Sequence, residues 1–231
     1  MISKHSELEK KIGYQFRDRN LLNNALIHRS YLNENKRHSL SSNEKLEFLG
    51  DSVLSLITSI YLYKKYPRLS EGEYTDIKAA IVKTDSLYEA SSNLDLGEYL
   101  FLSKGEDENS GRTNISILAD AFEALIGAIF LDSDFESSYR FVEKNLFEGK
   151  LDMIIRDKLY LSSKNRLQEF WQEKYKLLPE YRLIKEWGPE HSKHYSIGVY
   201  HKDRLLGTGE GGSKKTAEEQ AARFALQKLG L

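Results

Sequence analysis

The sequence predicts a multidomain protein: an all-α helical domain followed by an α+β domain in the order α-β-β-β-α. Three observations lead there. Up to about Arg156, apolar residues recur at spacings of three and four, as in LEFLGDSVLSLITSIYLYKKY and ISILADAFEALIGAIFL, the period of helices with a buried face. After Tyr160 the pattern changes to short β-leaning runs bounded by glycine, proline and polar turns. The charge divides at the same place, with a net of +4 over residues 161–231 against −5 over residues 1–160. An acidic front and a basic back suit two tasks, holding a cation and meeting a polyanion.

Each element has its own signal. Pro67 is expected to end the long helix that begins near Asn43, while Gly72 and the polar stretch Lys104–Gly111 read as connections. In the back half, Ser162, Ser163 and Asn165 can cap a helix running through LQEFWQEKY. Strands are expected at Tyr181–Trp187, His194–Tyr200 and Arg204–Gly209, separated by Gly188-Pro189 and by the turn His201–Asp203. Gly211, Gly212 and Ser213 lead into the closing helix KKTAEEQAARFALQKL, with Ala217, Ala221, Phe224, Ala225 and Leu229 as its apolar side. Trp171, Tyr181, Trp187 and Phe224 read as core rather than as base-stacking platforms. The expected boundaries are a helical domain at 1–156, a short linker at 157–160 and the second domain at 161–231.

Composition narrows the chemistry. With 231 residues, 40% hydrophobic and 30% charged, the chain is long enough for two modest cores and is ordinary for globular protein. It has no cysteine, which excludes disulfides, thiolate metal sites and cysteine nucleophiles. The start, MISKHSELEK, has no apolar signal region, and the longest apolar stretch, Ala121 to Leu131, is short and broken by Glu123. A cytoplasmic protein with no membrane segment and no small-molecule cofactor is expected.

The chemistry-bearing residues are carboxylates. In NEKLEFLGDSVL, Glu44, Glu47 and Asp51 fall at i, i+3 and i+7, on one helical face; in LADAFEALIGA, Asp120 and Glu123 fall at i and i+3. Asp120 and Glu123 stand inside a nearly continuous apolar run, with no lysine or arginine within four residues of either. Unpaired carboxylates in such surroundings are costly, and a divalent cation held by oxygen ligands relieves that cost. Acids at one-face spacing are equally compatible with solvated helix surfaces, so spacing alone leaves both readings open.

Longer strings carry a resemblance. NEKLEFLGDSVL, read with GRTNISILADAFEALIGAIFLD, HRSYLNEN at 28–35 and EGEYTDIKAAIV at 71–82, resembles the ribonuclease III family over essentially the whole chain. The resemblance implies an endoribonuclease that hydrolyses phosphodiester bonds of double-stranded RNA with metal-activated water, leaving 5′-phosphate and 3′-hydroxyl ends. It implies Mg²⁺, for which Mn²⁺ can substitute, held by Glu47, Asp51, Asp120 and Glu123. Asp51 and Glu123 are the acids most needed for catalysis, and Glu44 supports the site. Phe48 resembles the family's aromatic at the two-fold interface of a homodimer, against the plainer reading of core packing. Family-level substrates are structured precursors of rRNA and mRNA. His28 reads as a structural histidine in a helix.

The back half, above all GEGGSKKTAEEQAARFAL and GPEH at 188–191, resembles the double-stranded RNA-binding domain. That resemblance implies RNA contacts by Lys214 and Lys215 at a helix start, and by Gln168, Glu169 and His191 in successive minor grooves, with A-form shape read rather than sequence. Tyr195, Asn165, Tyr74 and the segment RDKLYLSSK depart from the pattern without touching a carboxylate. The competing expectation is a non-catalytic dimeric scaffold that binds duplex RNA.

Overall fold

The computed structural model describes residues 4–37 and 39–231, with Lys4 described through its backbone alone, and it divides into two compact units, one ending at Asp157 and one beginning at Lys158. The first unit is helical: α1 (Lys4–Ile12), α2 (Arg19–Leu26), α3 (Arg29–Glu34), α4 (Glu44–Lys65), α5 (Glu71–Ile81), α6 (Thr84–Asn93), α7 (Lys104–Glu108), α8 (Ile115–Asp132), α9 (Phe135–Val142) and α10 (Lys150–Arg156). An isolated parallel bridge pairs Ile27 with Phe101. Two expected connections are helical instead, and local capping explains both. The Ser70 hydroxyl and the Glu73 carboxylate exchange reciprocal capping bonds, so α5 starts at Glu71 and takes Gly72 into its first turn. Ser103 accepts a bond from the Glu106 amide at 3.1 Å, which starts α7 within the stretch read as loop.

Helix α8 is the axis of this unit. Asn114 caps it by accepting from the amides of Ser116 and Ile117. From Ile117 to Ile129 it is buried on nearly every side, and it packs on α2, α4, α6 and α9. Against α4 the two backbones nearly touch. A Cβ placed on Gly50 would stand 1.8 Å from the Glu123 carbonyl oxygen, and one on Gly127 would stand 2.3 Å from that of Leu46. Only glycine permits this approach from both sides. By length and composition α4 is apolar enough to cross a bilayer, which the interrupted pattern of serines had concealed. Here its Leu46, Val53, Leu54, Ile57 and Tyr61 are buried in the core instead.

The second unit runs α11 (Ser163–Tyr175), β1 (Glu180–Trp187), β2 (His194–His201), β3 (Arg204–Gly211) and α12 (Lys214–Leu229), with an antiparallel sheet in the order β1-β2-β3. Its core joins Leu167 and Trp171 of α11, Val199 and Leu206 of the sheet, and Ala221, Ala222, Ala225 and Leu226 of α12. The apolar side of α12 therefore differs from the expected one. Gly207 and Gly209 bring β3 so close that a Cβ on either would lie under 3 Å from the α12 backbone at Ala221. Only alanines fit that seam, and Phe224 turns outward, 47% exposed, as does Leu229. Trp187, at the end of an edge strand, is also part-exposed and stacks on His194 rather than entering the core.

The glycine contact gives the first prediction. Gly50→Ala should destabilise by about 3 kcal/mol, since the added methyl meets backbone that cannot yield cheaply. Gly72→Ala, with nothing within 4 Å of the new Cβ, should be neutral or stabilising by up to ~1 kcal/mol. Urea titrations of both variants check the pair.

Candidate metal centre and nucleic-acid interface

The close crossing of α4 and α8 decides where the acids meet. Glu47 lies one turn before Gly50 on α4, and Glu123 contributes the very carbonyl that Gly50 faces on α8. One carboxylate oxygen each from Glu47, Asp120 and Glu123 comes within 4.8 Å of the other two, and all three side chains are half-buried. Oxygens around an octahedral cation with bonds of about 2.1 Å stand about 3–4 Å apart, so this trio fits a hard divalent ion after small rotamer adjustments. Asp51 stands outside the trio and is exposed, although its charge acts on Glu123. Glu44 is exposed at the start of α4, where it accepts from the Ser42 hydroxyl at 2.7 Å and pairs with Arg29 at 3.9 Å.

The trio is electrostatically unfavourable without a cation. Burial first, then the charges of Asp51, Glu47 and Asp120, push the Glu123 carboxyl up to about 8. Burial followed by Asp120 and Glu44 raises Glu47, and burial raises Asp120 against the opposing influence of His28 and Arg29. Acids with raised pKa values gathered at one place are candidates for a functional site.

Glu44, Glu47 and Asp120 line a groove of about 670 Å³ together with His28, Arg29, Asn33 and Asn114. His28 is the N-cap of α3 rather than a residue within a helix. Its Nδ1 lies 2.8 Å from the Ser30 hydroxyl, and burial lowers its pKa. Arg29 and the asparagines were not singled out from the sequence, because they lie far along the chain from the acids and follow no period shared with them.

Phe48, next to Glu47 in sequence, is 78% exposed, so the core-packing alternative does not hold for this chain on its own. Leu56 and Tyr63 of the same helix are also exposed.

In the second unit, Lys214 and Lys215 open α12 and are exposed, as are Gln168, Glu169 and His191. Lys214 Nζ sits 5.8 Å from the centre of the Tyr195 ring, and Glu169 is held by Lys158 at 2.5 Å. Sequence reading missed Glu219, whose carboxylate accepts from the amides of Ser163 and Lys164 and so ties the start of α11 to α12. The two exposed surfaces are thereby fixed against one another.

Comparison with known proteins identifies both domains. A family model described as Ribonuclease-III-like matches residues 18–150, and one described as Double-stranded RNA binding motif matches residues 163–229. Two curated proteins, each called Ribonuclease 3, are similar over nearly their whole length. That of Desulfotalea psychrophila is 45% identical over 98% of this chain and 93% of its own, and that of Enterococcus faecalis is 44% identical over 97% and 96%. The nuclease domain of a ribonuclease III from Campylobacter jejuni, described for flexibility in a region involved in dimer formation, superposes with a TM-score of 0.55. It shares 40% identity and covers 60% of this chain and 96% of its own. The chain thus belongs to the ribonuclease III family, as a helical nuclease domain followed by a double-stranded RNA-binding motif.

Proposed function

We propose that the chain is a homodimeric endoribonuclease that hydrolyses phosphodiester bonds of double-stranded RNA, leaving 5′-phosphate and 3′-hydroxyl ends. The observation that carries this reading is the meeting of Glu47, Asp120 and Glu123 oxygens within 4.8 Å at the helix crossing of a ribonuclease III-like domain. Glu47, Asp120 and Glu123 would hold divalent metal, Mg²⁺ with Mn²⁺ as a substitute, with Asp51, the next acid along the same face of α4, as a further ligand. When bound, such an ion supplies Lewis-acid polarisation of the phosphate and a water nucleophile at neutral pH. The protein's own part is to bring these acids together, with a cation favouring the ionised form of Glu123 that burial and its neighbours oppose. Glu44, at the start of α4, plays a supporting part beside the site.

Recognition belongs to the second unit. Lys214 and Lys215 meet phosphates at the start of α12, where the helix dipole adds to their charge, while Gln168, Glu169 and His191 reach 2′-hydroxyls. Shape-reading of this kind suits structured precursors of rRNA and mRNA in the cytoplasm. The exposed Phe48 is the anchor of the dimer: an aromatic left in water on one chain is buried when a second copy covers it.

Three outcomes test this reading. Long duplex RNA incubated with Mg²⁺ should be cut to fragments with 5′-phosphate ends, whereas Ca²⁺ or EDTA should permit binding alone. Glu123→Gln should lower the rate about 10³-fold, or about 4 kcal/mol, without loss of RNA binding in Ca²⁺. Binding without cleavage in Mg²⁺ would leave the scaffold reading in its place.

Metal-free stability should depend on pH through Glu123. Its folded carboxyl is pushed up to about 8 from an ordinary value of 4.5, so the folded state holds the proton more tightly than the unfolded one. The associated stability is complete below the unfolded value and declines as pH rises towards about 8. Mn²⁺ should therefore raise Tm more at pH 8 than at pH 6, and Glu123→Gln should flatten the metal-free slope. Differential scanning fluorimetry reads both.

Phe48→Glu should leave Tm within a few degrees of the parent, because the side chain is 78% exposed, and should shift the mass seen by light scattering from dimer to monomer. A folded variant that stays dimeric removes Phe48 from the interface.

A further inference from the structure

We infer that Arg29 contacts the RNA strand at the acidic cluster, exchanging its ion pair with Glu44 for a non-bridging oxygen of a backbone phosphate. The inference rests on the nuclease reading above and adds a substrate-contacting residue to it.

The position argues first. Among the described residues, Arg29 is the one lysine or arginine lining the groove that holds Glu44, Glu47 and Asp120. A phosphodiester entering this groove approaches a concentration of carboxylates, and the bound cation cannot offset all of that repulsion alone. A guanidinium beside the cluster supplies a second positive partner, with a planar fork matched to phosphate oxygens.

The present partner is held weakly. Arg29 Nη1 lies 3.9 Å from Glu44, at the outer limit of an ion pair, with side chains 74% and 56% exposed. An exposed pair of this kind is worth little, so giving it up costs little. The backbone beneath it is firmly tied. His28 N donates to Phe101 O at 3.1 Å, Ser103 N donates to the Ser30 hydroxyl at 3.1 Å, and Asn43 N donates to Ile27 O at 2.8 Å. A fixed Cα with a loosely engaged head is the arrangement that lets one side chain change partners without moving the site.

The test uses the full-length protein, a defined RNA hairpin and Mg²⁺, comparing Arg29→Ala and Arg29→Lys with the parent across a salt series. Arg29→Ala should lower kcat/KM about 10- to 100-fold, the range for losing a charged hydrogen bond. It should also reduce the slope of log kcat/KM against log salt by about one phosphate contact. Arg29→Lys should keep the slope and recover part of the rate. An unchanged slope in Arg29→Ala overturns the inference whatever the rate, because a merely structural role does not alter the count of neutralised phosphates. If Arg29→Ala melts below the assay temperature, Arg29→Lys carries the test: a reduced rate at the parental slope supports the contact, and a parental rate overturns it. A parent protein that does not cut the hairpin in Mg²⁺ sinks the nuclease reading itself, whereas a cutting parent with an indifferent Arg29→Ala sinks only this contact.

Discussion

The contact between Gly50 and the Glu123 carbonyl, mirrored by Gly127 against Leu46, sets the helical unit's geometry. Helices with ordinary side chains at their crossing lie 8–10 Å apart. Removing both Cβ atoms at the crossing lets α4 and α8 approach more closely, and the first turns of α4 then bring Glu47 to the acids of α8. The acids are therefore a consequence of the core. Their side chains sit where the buried face of α8 meets the groove, and the same packing that positions them strips away part of their hydration. Position and electrostatic strain come from one interaction and cannot be tuned separately.

That coupling explains what was legible in the sequence and what was not. The acids were readable because helix periodicity places Glu44, Glu47 and Asp51 on one face and Asp120 and Glu123 on another, and because an apolar run with charges in it is conspicuous. Periodicity does not report rotamers, and Asp51 accordingly stands outside the trio. The two glycines looked unremarkable, since a glycine within a helix announces close packing only once its neighbour is known. Arg29 was invisible for the same reason: its relation to Asp120 is purely tertiary. Capping bonds at Ser70 and Ser103 were present in the letters, yet the weak helix signals of Gly72 and the polar Lys104–Gly111 stretch outweighed them.

The second unit was more transparent, because alternating strands and a capped helix obey local rules. The misreading of α12 is instructive. A helical wheel puts Phe224 near the alanines of α12, and hydrophobicity favours it inside. Distance decides otherwise, since β3 presents Gly207 and Gly209 and leaves room only for a methyl group. Burial thus follows the smallest residue that fits rather than the most apolar one available.

The division of charge between the two units has a mechanistic reason. A cluster of carboxylates that needs a cation is also a surface that repels a polyanion, so a site built this way cannot draw in RNA through its own field. Substrate attraction then has to come from basic residues elsewhere, and the chain places its net positive charge in the RNA-binding motif. Separating the two lets each be extreme. On the proposed function, the acids can be crowded enough to push Glu123 to about 8 because the duplex is held by the other unit. On the same reading, Lys214 and Lys215 of α12 can stay exposed to solvent, since a cation would be held elsewhere. Were the whole attraction for duplex placed at the acids, a cluster of basic residues there, well beyond the single Arg29, would offset their charge and weaken the hold on a cation.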